Sequence, residues 1–275
     1  MAAWPRRRVN SFAALVFAVG ATHAFPQAFP QVAAPASQAL PPPLPTKEIL
    51  DYAIEWRLIP AGTAKLTLSN QLPSAPNSQR AQAAAAEARL HIESSGLVSR
   101  LFRVDDDYTA LQGPNLCTQS TFMVAHEGSR SKETRVVFDA QNRRATWIEK
   151  DFVKNSTNTQ GADIPPCVHD VLGGLMLLRN LRLEPGKTAG LPLSDGKKFV
   201  QVKVESQRRE ELKTELGTFR TIRYEVFVFD NVLYKRSGHL HIWLTDDDRR
   251  LPVQLQVRLQ FTIGTITFRL IKEQK

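Results

Sequence analysis

The sequence predicts a mainly β fold, either a strongly curved antiparallel sheet or a closed or half-open β-barrel, with about 10–12 strands and one packed α-helix. Apolar and polar residues alternate in short segments along most of the chain, which is typical of strands that bury one face. Only one segment has apolar residues at helical spacing. A sheet with this many strands usually curls rather than staying flat.

The N-terminal region predicts a processing signal followed by a spacer. Arg6, Arg7 and Arg8 precede the short apolar run Ser11–Ala21, and small residues follow it, so we expect residues 1–24 to be a signal peptide. Residues 25–46 are rich in alanine and proline and are expected to be a disordered spacer. The remaining residues, 47–275, are expected to form a single β-rich domain.

The first predicted strands form a hairpin. Tyr52, Ile54, Trp56 and Leu58 share one face of the first strand, and Pro60-Ala61-Gly62 turns the chain into a second alternating strand. Residues 70–87 are of low complexity and are expected to form a loop insertion between two strands. The alternation recurs at Ala88–Ile92, Val136–Phe138, Lys198–Glu205, Ile222–Val228, Leu240–Leu244 and Val253–Leu259.

The predicted helix lies in PPCVHDVLGGLMLLRNL, where Val168, Val171, Leu172, Leu175 and Leu178 recur at helical spacing. Gly173 and Gly174 lower helix propensity, which indicates close packing against a strand or a ligand. His169 and Asp170 are adjacent and would point apart on a helix, so we expect helix capping rather than an acid–base pair.

The two cysteines, Cys117 and Cys167, are expected to form a disulfide in an exported chain. Two buried free thiols are the alternative. A zinc site is disfavoured because neither cysteine belongs to a CxxC pair.

Charge and hydropathy argue against two classes of partner, nucleic acids and the membrane interior. The formal net charge is +9 at pH 7, but lysines and arginines are spread along the predicted strands, so no nucleic-acid groove is expected. No segment approaches the roughly 20 apolar residues of a membrane helix. A membrane-spanning barrel would show the same alternation, but flanking aromatic girdles are not evident, so the domain is not expected to span a membrane.

The segment GHLHIWLTDDDRR contains the residues that most resemble a metal or catalytic site. His239 and His241 share one face of a strand and are weak candidates for metal ligands. Asp246, Asp247 and Asp248 follow the strand and suit a turn, so we expect a hairpin corner, no metal site and outward-facing histidines. Asp105-Asp106-Asp107 lacks the spaced ligands and the glycine of a calcium loop.

The sequence contains none of the catalytic motifs considered. The chain lacks a glycine-rich phosphate loop, a GxSxG elbow and an HExxH motif. No catalytic residue and no cofactor are therefore expected. Enzymatic activity stays open, but a non-enzymatic role is favoured.

Several segments together resemble a known family. In chain order they are DYAIEWRLIPAGTAKLTL, SSGLVSRLFRVDDDY, RVVFDAQNRRATW, PPCVHDVLGGLMLLRNLRLEPGKT, LPLSDGKKFVQVKVE, GTFRTIRYEV and HIWLTDDDRRLPVQLQV. In their order and spacing they resemble the bacterial family called domain of unknown function 3108, over roughly residues 47–272. The resemblance implies an exported, β-rich protein of the periplasm or cell envelope with no established activity and no catalytic residues.

Three functions follow as hypotheses. The first is a non-enzymatic envelope protein whose curved sheet holds a hydrophobic small molecule or lipid, although the same side chains could simply fill the core. The candidate lining residues are Trp56, Phe219 or Phe227, Phe261, Gly173 and Gly174. The second is an interaction or assembly module that docks an envelope protein. The third is a hydrolase that uses His239, His241 and the tip Asp246–Asp248.

Overall fold

The computed structural model describes residues 47–70, 86–260 and 264–275. These residues form one sheet of 14 strands, and every strand pair is antiparallel. The first eight strands are β1 (Lys47–Trp56), β2 (Ile59–Ser69), β3 (Ala86–Ser94), β4 (Val104–Gln112), β5 (Thr118–Glu127), β6 (Arg130–Asp139), β7 (Arg144–Asp151) and β8 (Ser156–Asp163). The others are β9 (Thr188–Ser194), β10 (Phe199–Thr214), β11 (Gly217–Val226), β12 (Gly238–Thr245), β13 (Pro252–Leu259) and β14 (Thr265–Gln274).

Within the described residues, two helices accompany the sheet, α1 (Gly96–Leu101) and α2 (Val171–Asn180), together with a 3-10 turn at Pro114–Leu116. The predicted fold class is confirmed: the domain is mainly β, antiparallel and strongly curved. The structure has 14 strands rather than about 10–12, and α1 is a second helix. The additional strands include β8, whose sequence STNTQGAD has no apolar alternation that could predict it.

The strands form two meanders. Strands β1–β8 follow one another across one half of the sheet and β9–β14 across the other, and β1 pairs with β14 to join the halves. The two edges are β8 and β9, which do not pair with each other, so strand pairing does not close a barrel among the described residues.

The curvature of the sheet brings β6 close to the turn between β9 and β10, although these elements lie near opposite ends of the strand order. Gly196, in the turn between β9 and β10, lies against Val136 of β6, so that a Cβ atom on this glycine would be 2.5 Å from Val136 Cγ1. The segment before α2 bridges part of the opening, because the amide of Thr118 donates to the carbonyl of Val168 at 2.8 Å. Next to it, His169 forms a parallel bridge with Leu193 of β9.

The predicted disulfide is confirmed: Cys117 and Cys167 are bonded, and no described cysteine is free. The bond joins the chain just before β5 to the segment before α2. It therefore holds the connection between β8 and β9 against the sheet.

The apolar residues form two clusters. The larger one fills the curve of the sheet around α2, whose residues Leu172, Leu175, Met176 and Leu178 are all buried. The smaller cluster lies on β6, β7 and the segment before α2 and consists of Val136, Phe138, Ala145, Trp147, Ile164 and Val168, with Phe199 packed against it. The candidate site lies at the junction between the two clusters.

Some predictions lie outside the described residues. These are the signal peptide, the spacer, Phe261 and residues 71–85 of the loop insertion predicted over 70–87; the last two residues of that prediction, 86 and 87, lie in β3 instead. Among the residues that the structure describes, neither helix is long or apolar enough to cross a lipid bilayer.

Candidate functional site

A small pocket lies at the junction of the two apolar clusters; it is partly open to solvent and has a cavity volume of about 30 Å³. It is bounded by the inner faces of β4–β7, the first turn of α2 and the turn between β9 and β10. Its lining residues are Tyr108, Thr121, Met123, Thr134, Val136, Phe138, Trp147, Asp170, Val171, Ser194, Asp195 and Tyr234.

The apolar wall follows from strand alternation. Met123 of β5, Val136 and Phe138 of β6, and Trp147 of β7 are buried, whereas Val137, between two of them, is 43% exposed on the outer face. Residues two apart on a strand point to the same side of the sheet. The alternation therefore lines this side of the pocket with hydrocarbon and aromatic surface.

Asp170 forms the polar corner of the pocket beside α2. Its Oδ1 accepts hydrogen bonds from Thr118 Oγ1 at 2.7 Å and from the Gly173 amide at 3.1 Å. Its Oδ2 accepts from Tyr108 Oη at 2.8 Å and from the Leu172 amide at 3.1 Å. The predicted capping role of Asp170 is confirmed, and the same carboxylate ties α2 to β4 and β5.

Asp195 approaches the pocket from the turn between β9 and β10. Its Oδ1 accepts from the amides of Lys197 and Lys198 at 2.9 and 3.0 Å, which fixes the turn. In the described part of the chain, no hydrogen bond reaches its Oδ2. The ammonium group of Lys197 lies over the Trp147 ring, 3.9 Å from its centroid. One carboxylate oxygen at the pocket is thus left to accept a hydrogen bond.

Tyr234 closes the pocket from the loop that follows β11. The residue is 8% exposed, and its hydroxyl group has no hydrogen-bond partner among the described residues. Burial raises the pKa of this phenol far above its usual value, and the charges of Asp195 and Asp170 raise it further. The group therefore stays protonated and can donate or accept a hydrogen bond.

A second group of carboxyls lies on the same inner face, farther along β4 and β5. Asp106 and Glu127 are buried, and Asp106 Oδ1 accepts from the His126 amide at 2.9 Å. Burial raises the pKa of Asp106 to about 6. Burial, followed by the charge of Asp106, raises the pKa of Glu127 to about 7. Both groups change charge near neutral pH.

Of the predicted lining residues, Trp56, Gly173 and Gly174 are among those that lie in the described part of the chain. A Cβ atom on Gly174 would be 2.7 Å from Leu193 Cδ2 and one on Gly173 would be 3.0 Å from Thr118 Oγ1, so these glycines permit close packing of α2. Trp56 packs against the main core. Neither glycine nor Trp56 belongs to the described lining of the pocket.

His239 and His241 lie on the outer face of β12, whereas Ile242 and Leu244 are buried on the inner face. Glu225 of β11 lies beside both rings: its Oε1 is 2.7 Å from His239 Nδ1, and its Oε2 is 3.8 Å from His241 Nε2. Burial lowers the pKa of His241. That neither histidine binds a metal stays a prediction.

The three acids after β12 form the expected hairpin corner. Asp247 Oδ1 accepts from the amides of Arg249 and Arg250, while Asp246 and Asp248 pair with arginines. A strand rises by about 3.3 Å per residue, which separates His241 from this corner by roughly 15 Å. The structure therefore does not assemble the three parts of the predicted hydrolase site.

Another set of potential ligands lies on the outer face of β3 and β4. Ligand atoms of His91, Asp105 and Asp107 lie within 4.8 Å of one another. His91 Nδ1 is 3.0 Å from Asp107 Oδ1, and Arg103 pairs with Asp105 at 3.3 Å. Each member of this exposed set is thus already paired within the protein.

Sequence reasoning did not identify Asp195, Tyr234 or Trp147. Asp195 and Tyr234 lie in loops, where no periodicity indicates which way a side chain points. Trp147 lies in RATWIEKD, whose alternation could have placed it on the inner face.

Comparisons with known proteins give a family and a set of similar structures. A model of a family of proteins of unknown function, DUF3108, matches residues 51–271. No curated protein matches the sequence.

Three solved structures are similar at low identity. One is a β-barrel-like protein of the domain of unknown function DUF1849 from Brucella abortus, with 9% identity over 83% of this chain and 97% of that chain and a TM-score of 0.49. A DUF1089 family protein from Pseudomonas aeruginosa has 9% identity over 68% of this chain and 87% of that chain, with a TM-score of 0.29. A protein with a YmcC-like fold from Bacteroides fragilis has 8% identity over 86% and 98%, with a TM-score of 0.31. Because the family model spans nearly the whole domain, the chain belongs to the DUF3108 family of proteins of unknown function.

Proposed function

We propose that the protein is a non-enzymatic component of the bacterial cell envelope that holds a small hydrophobic or lipid-like molecule in the pocket between β4–β7 and α2. The observation that carries this proposal is the separation of the two apolar clusters by a pocket with one hydrocarbon wall and one polar corner. Ligand sites in proteins combine a mostly apolar lining with a few polar groups that orient the ligand.

The pocket residues suit binding better than catalysis. All four hydrogen bonds to Asp170 come from the protein itself, and these bonds hold the carboxylate in a structural role. His169, which precedes Asp170 in the chain, has its Nδ1 2.9 Å from the carbonyl oxygen of Leu116, so its ring is held by the backbone and not by the Asp170 carboxylate. The chemistry present can position a ligand, and no step of a reaction is assigned to it.

Two features support a location outside the cytoplasm. The N-terminal sequence has the composition of a secretory signal. The disulfide between Cys117 and Cys167 is of a kind that persists in oxidising compartments. A molecule held by a periplasmic protein would come from the surrounding lipids or from envelope metabolism.

Native mass spectrometry of protein purified from its own periplasm tests the proposal. We expect a co-purifying molecule, or a mass shift on addition of fatty acid, fatty alcohol or phospholipid. Thr134→Trp places a large ring in the pocket and should abolish the shift. Val137→Trp changes the outer face of the same strand and should leave it intact.

Absence of any bound species in the wild type, or equal binding by both tryptophan variants, would argue against the pocket as the site. Circular dichroism and the retained disulfide would show that both variants fold.

A second candidate function, docking of another envelope protein, is favoured by the edge strand β8. Its residues are almost all exposed, and one of its two sides has no strand partner in the described sheet. Edge strands can pair with a strand of another chain. A photo-crosslinker at Thr159 of β8 should capture a partner in intact cells, whereas one at Lys65 of β2 should not. Recovery of only the monomer from both would remove this candidate.

A further inference from the structure

We propose that the ligand ends in a neutral group that both donates and accepts hydrogen bonds, such as a hydroxyl or an amide, and that this group lies between Tyr234 and Asp195. The inference rests on the proposed function and narrows its ligand to one chemical class. An amphiphile with an anionic head is thereby disfavoured.

The phenol of Tyr234 lacks a hydrogen-bond partner among the described residues. The residue is nevertheless buried. Leaving such a group unsatisfied costs about 1–3 kcal/mol. A ligand atom that accepts from this hydroxyl group would remove that penalty, so the phenol favours a polar atom at this point of an otherwise apolar wall.

Asp195 has one carboxylate oxygen that is not used by the turn. Its Oδ1 is used by the turn, whereas its Oδ2 can accept one more hydrogen bond. A ligand group that donates is therefore favoured at Asp195. Only a head group with both capacities satisfies the two side chains at once.

The charges at the pocket disfavour an anionic ligand. Two carboxylates, Asp170 and Asp195, line the pocket, and no basic side chain is among the described lining residues. The nearby ammonium group of Lys197 lies over the Trp147 ring and is partly withdrawn from water. A carboxylate or phosphate head would face like charges at short range, and such pairs are unfavourable.

Calorimetric titration of the mature protein with three amphiphiles of equal chain length tests the inference: octanol, octanoate and octylammonium. We expect octanol to bind at least about tenfold more tightly than octanoate. Tyr234→Phe should weaken octanol binding about three- to tenfold, which is the effect of one lost hydrogen bond. Asp195→Asn keeps the oxygen that fixes the turn and should reduce the discrimination against octanoate.

Tyr52→Phe is the matched control, because Tyr52 donates to the carbonyl of Pro252 and is not part of the pocket lining. It should leave the ratio of the affinities unchanged. Tightest binding of octanoate or of octylammonium would overturn the head-group assignment while leaving the pocket as a binding site. Unchanged octanol affinity in Tyr234→Phe would overturn the placement. Failure of all three amphiphiles to bind would overturn both this inference and the proposed function.

Discussion

The phenol of Tyr108 on β4 donates a 2.8 Å hydrogen bond to the carboxylate of Asp170, which caps α2 and lies 62 residues later in the chain. The same carboxylate accepts from Thr118 at the start of β5. One side chain thereby fixes the first turn of the helix against two strands. This first turn forms one border of the pocket, so the shape of the pocket depends on this contact.

Asp170→Ala should be strongly destabilising. The change leaves Tyr108, Thr118 and two backbone amides of α2 without their acceptor, and each buried unsatisfied donor costs about 1–3 kcal/mol. We expect a loss of at least about 3 kcal/mol in urea unfolding. Asp248→Ala removes an exposed pair with Arg182 and should cost less than about 1 kcal/mol. Equal losses for the two variants would contradict this account of Asp170.

The other end of α2 is held by a buried ion pair between Arg179 and Glu48 of β1. Arg179 Nη1 is 2.6 Å from Glu48 Oε2, and the two side chains are 6% and 3% exposed. Glu48→Gln leaves a buried guanidinium without its counter-charge and should cost about 3–5 kcal/mol. Lys65→Met breaks an exposed pair with Asp51 and should cost less than about 1 kcal/mol. Chemical denaturation of both variants measures the loss in the free energy of unfolding. Similar losses would show that burial does not set the strength of the ion pair.

The disulfide should contribute about 4 kcal/mol on the chain-entropy model, since Cys117 and Cys167 are 50 residues apart. Replacing both cysteines by serine should lower the free energy of unfolding by about this amount. Reducing agent should destabilise the wild type equally and leave the serine variant unaffected. A wild-type protein that is insensitive to reductant would show that the crosslink does not stabilise the fold.

Two buried carboxyl groups, Asp106 and Glu127, should lower the stability as pH rises from about 4 to about 7. Burial raises the pKa of Asp106 to about 6 and that of Glu127 to about 7, whereas the unfolded chain ionises both near pH 4. The folded state therefore binds more protons than the unfolded state, and its stability decreases between about pH 4 and pH 7. Ionisation of Glu127 should account for roughly 3 kcal/mol of that decrease.

Glu127→Gln isolates this carboxyl group. The variant should be more stable than the wild type at pH 8 and nearly equal to it at pH 4, as measured by urea unfolding across this range. Glu93→Gln changes an exposed acid on β3 and should leave the profile as it is. A wild-type pH profile in the Glu127 variant would contradict the raised pKa.

Local periodicity was enough to predict the faces of most strands. His239 lies on the outer face and Ile242 on the inner one because successive side chains on a strand alternate. Alternation could not predict β8, which is polar throughout and exists through its pairing with β7. Nor could it predict that Trp243, on the outer face, is buried with its indole nitrogen 2.6 Å from Glu210 Oε1.

The candidate site was harder to predict for the same reason. Tyr234 and Asp195 lie in separate loops, and they line one pocket together with β4–β7 only because the sheet curves. The sequence instead favoured Gly173 and Gly174 as lining residues. These glycines do mark a close approach, but it is the packing of α2 against Leu193 and Thr118. Contacts between distant segments decide this pocket, and a single sequence carries no direct record of them.

The contact between Gly196 and Val136 holds the turn between β9 and β10 against β6 and can be tested by substitution. Gly196 has φ of +86°, and a Cβ atom there would be 2.5 Å from Val136 Cγ1. Gly186 has φ of +81° with nothing within 4 Å of such an atom. Alanine at either position incurs backbone strain of about 1–2 kcal/mol, but only Gly196→Ala also forces overpacking, which costs about 1–3 kcal/mol more.

Denaturation of the two alanine variants should therefore show the larger loss for Gly196→Ala. The turn that contains Gly196 also carries Asp195, so this variant should bind octanol more weakly, whereas Gly186→Ala should bind it as the wild type does. Equal losses of stability would mean that the turn can move away from Val136 at little cost. Because Gly186 experiences the same strain without the contact, the difference between the two variants measures how firmly the turn is held against β6.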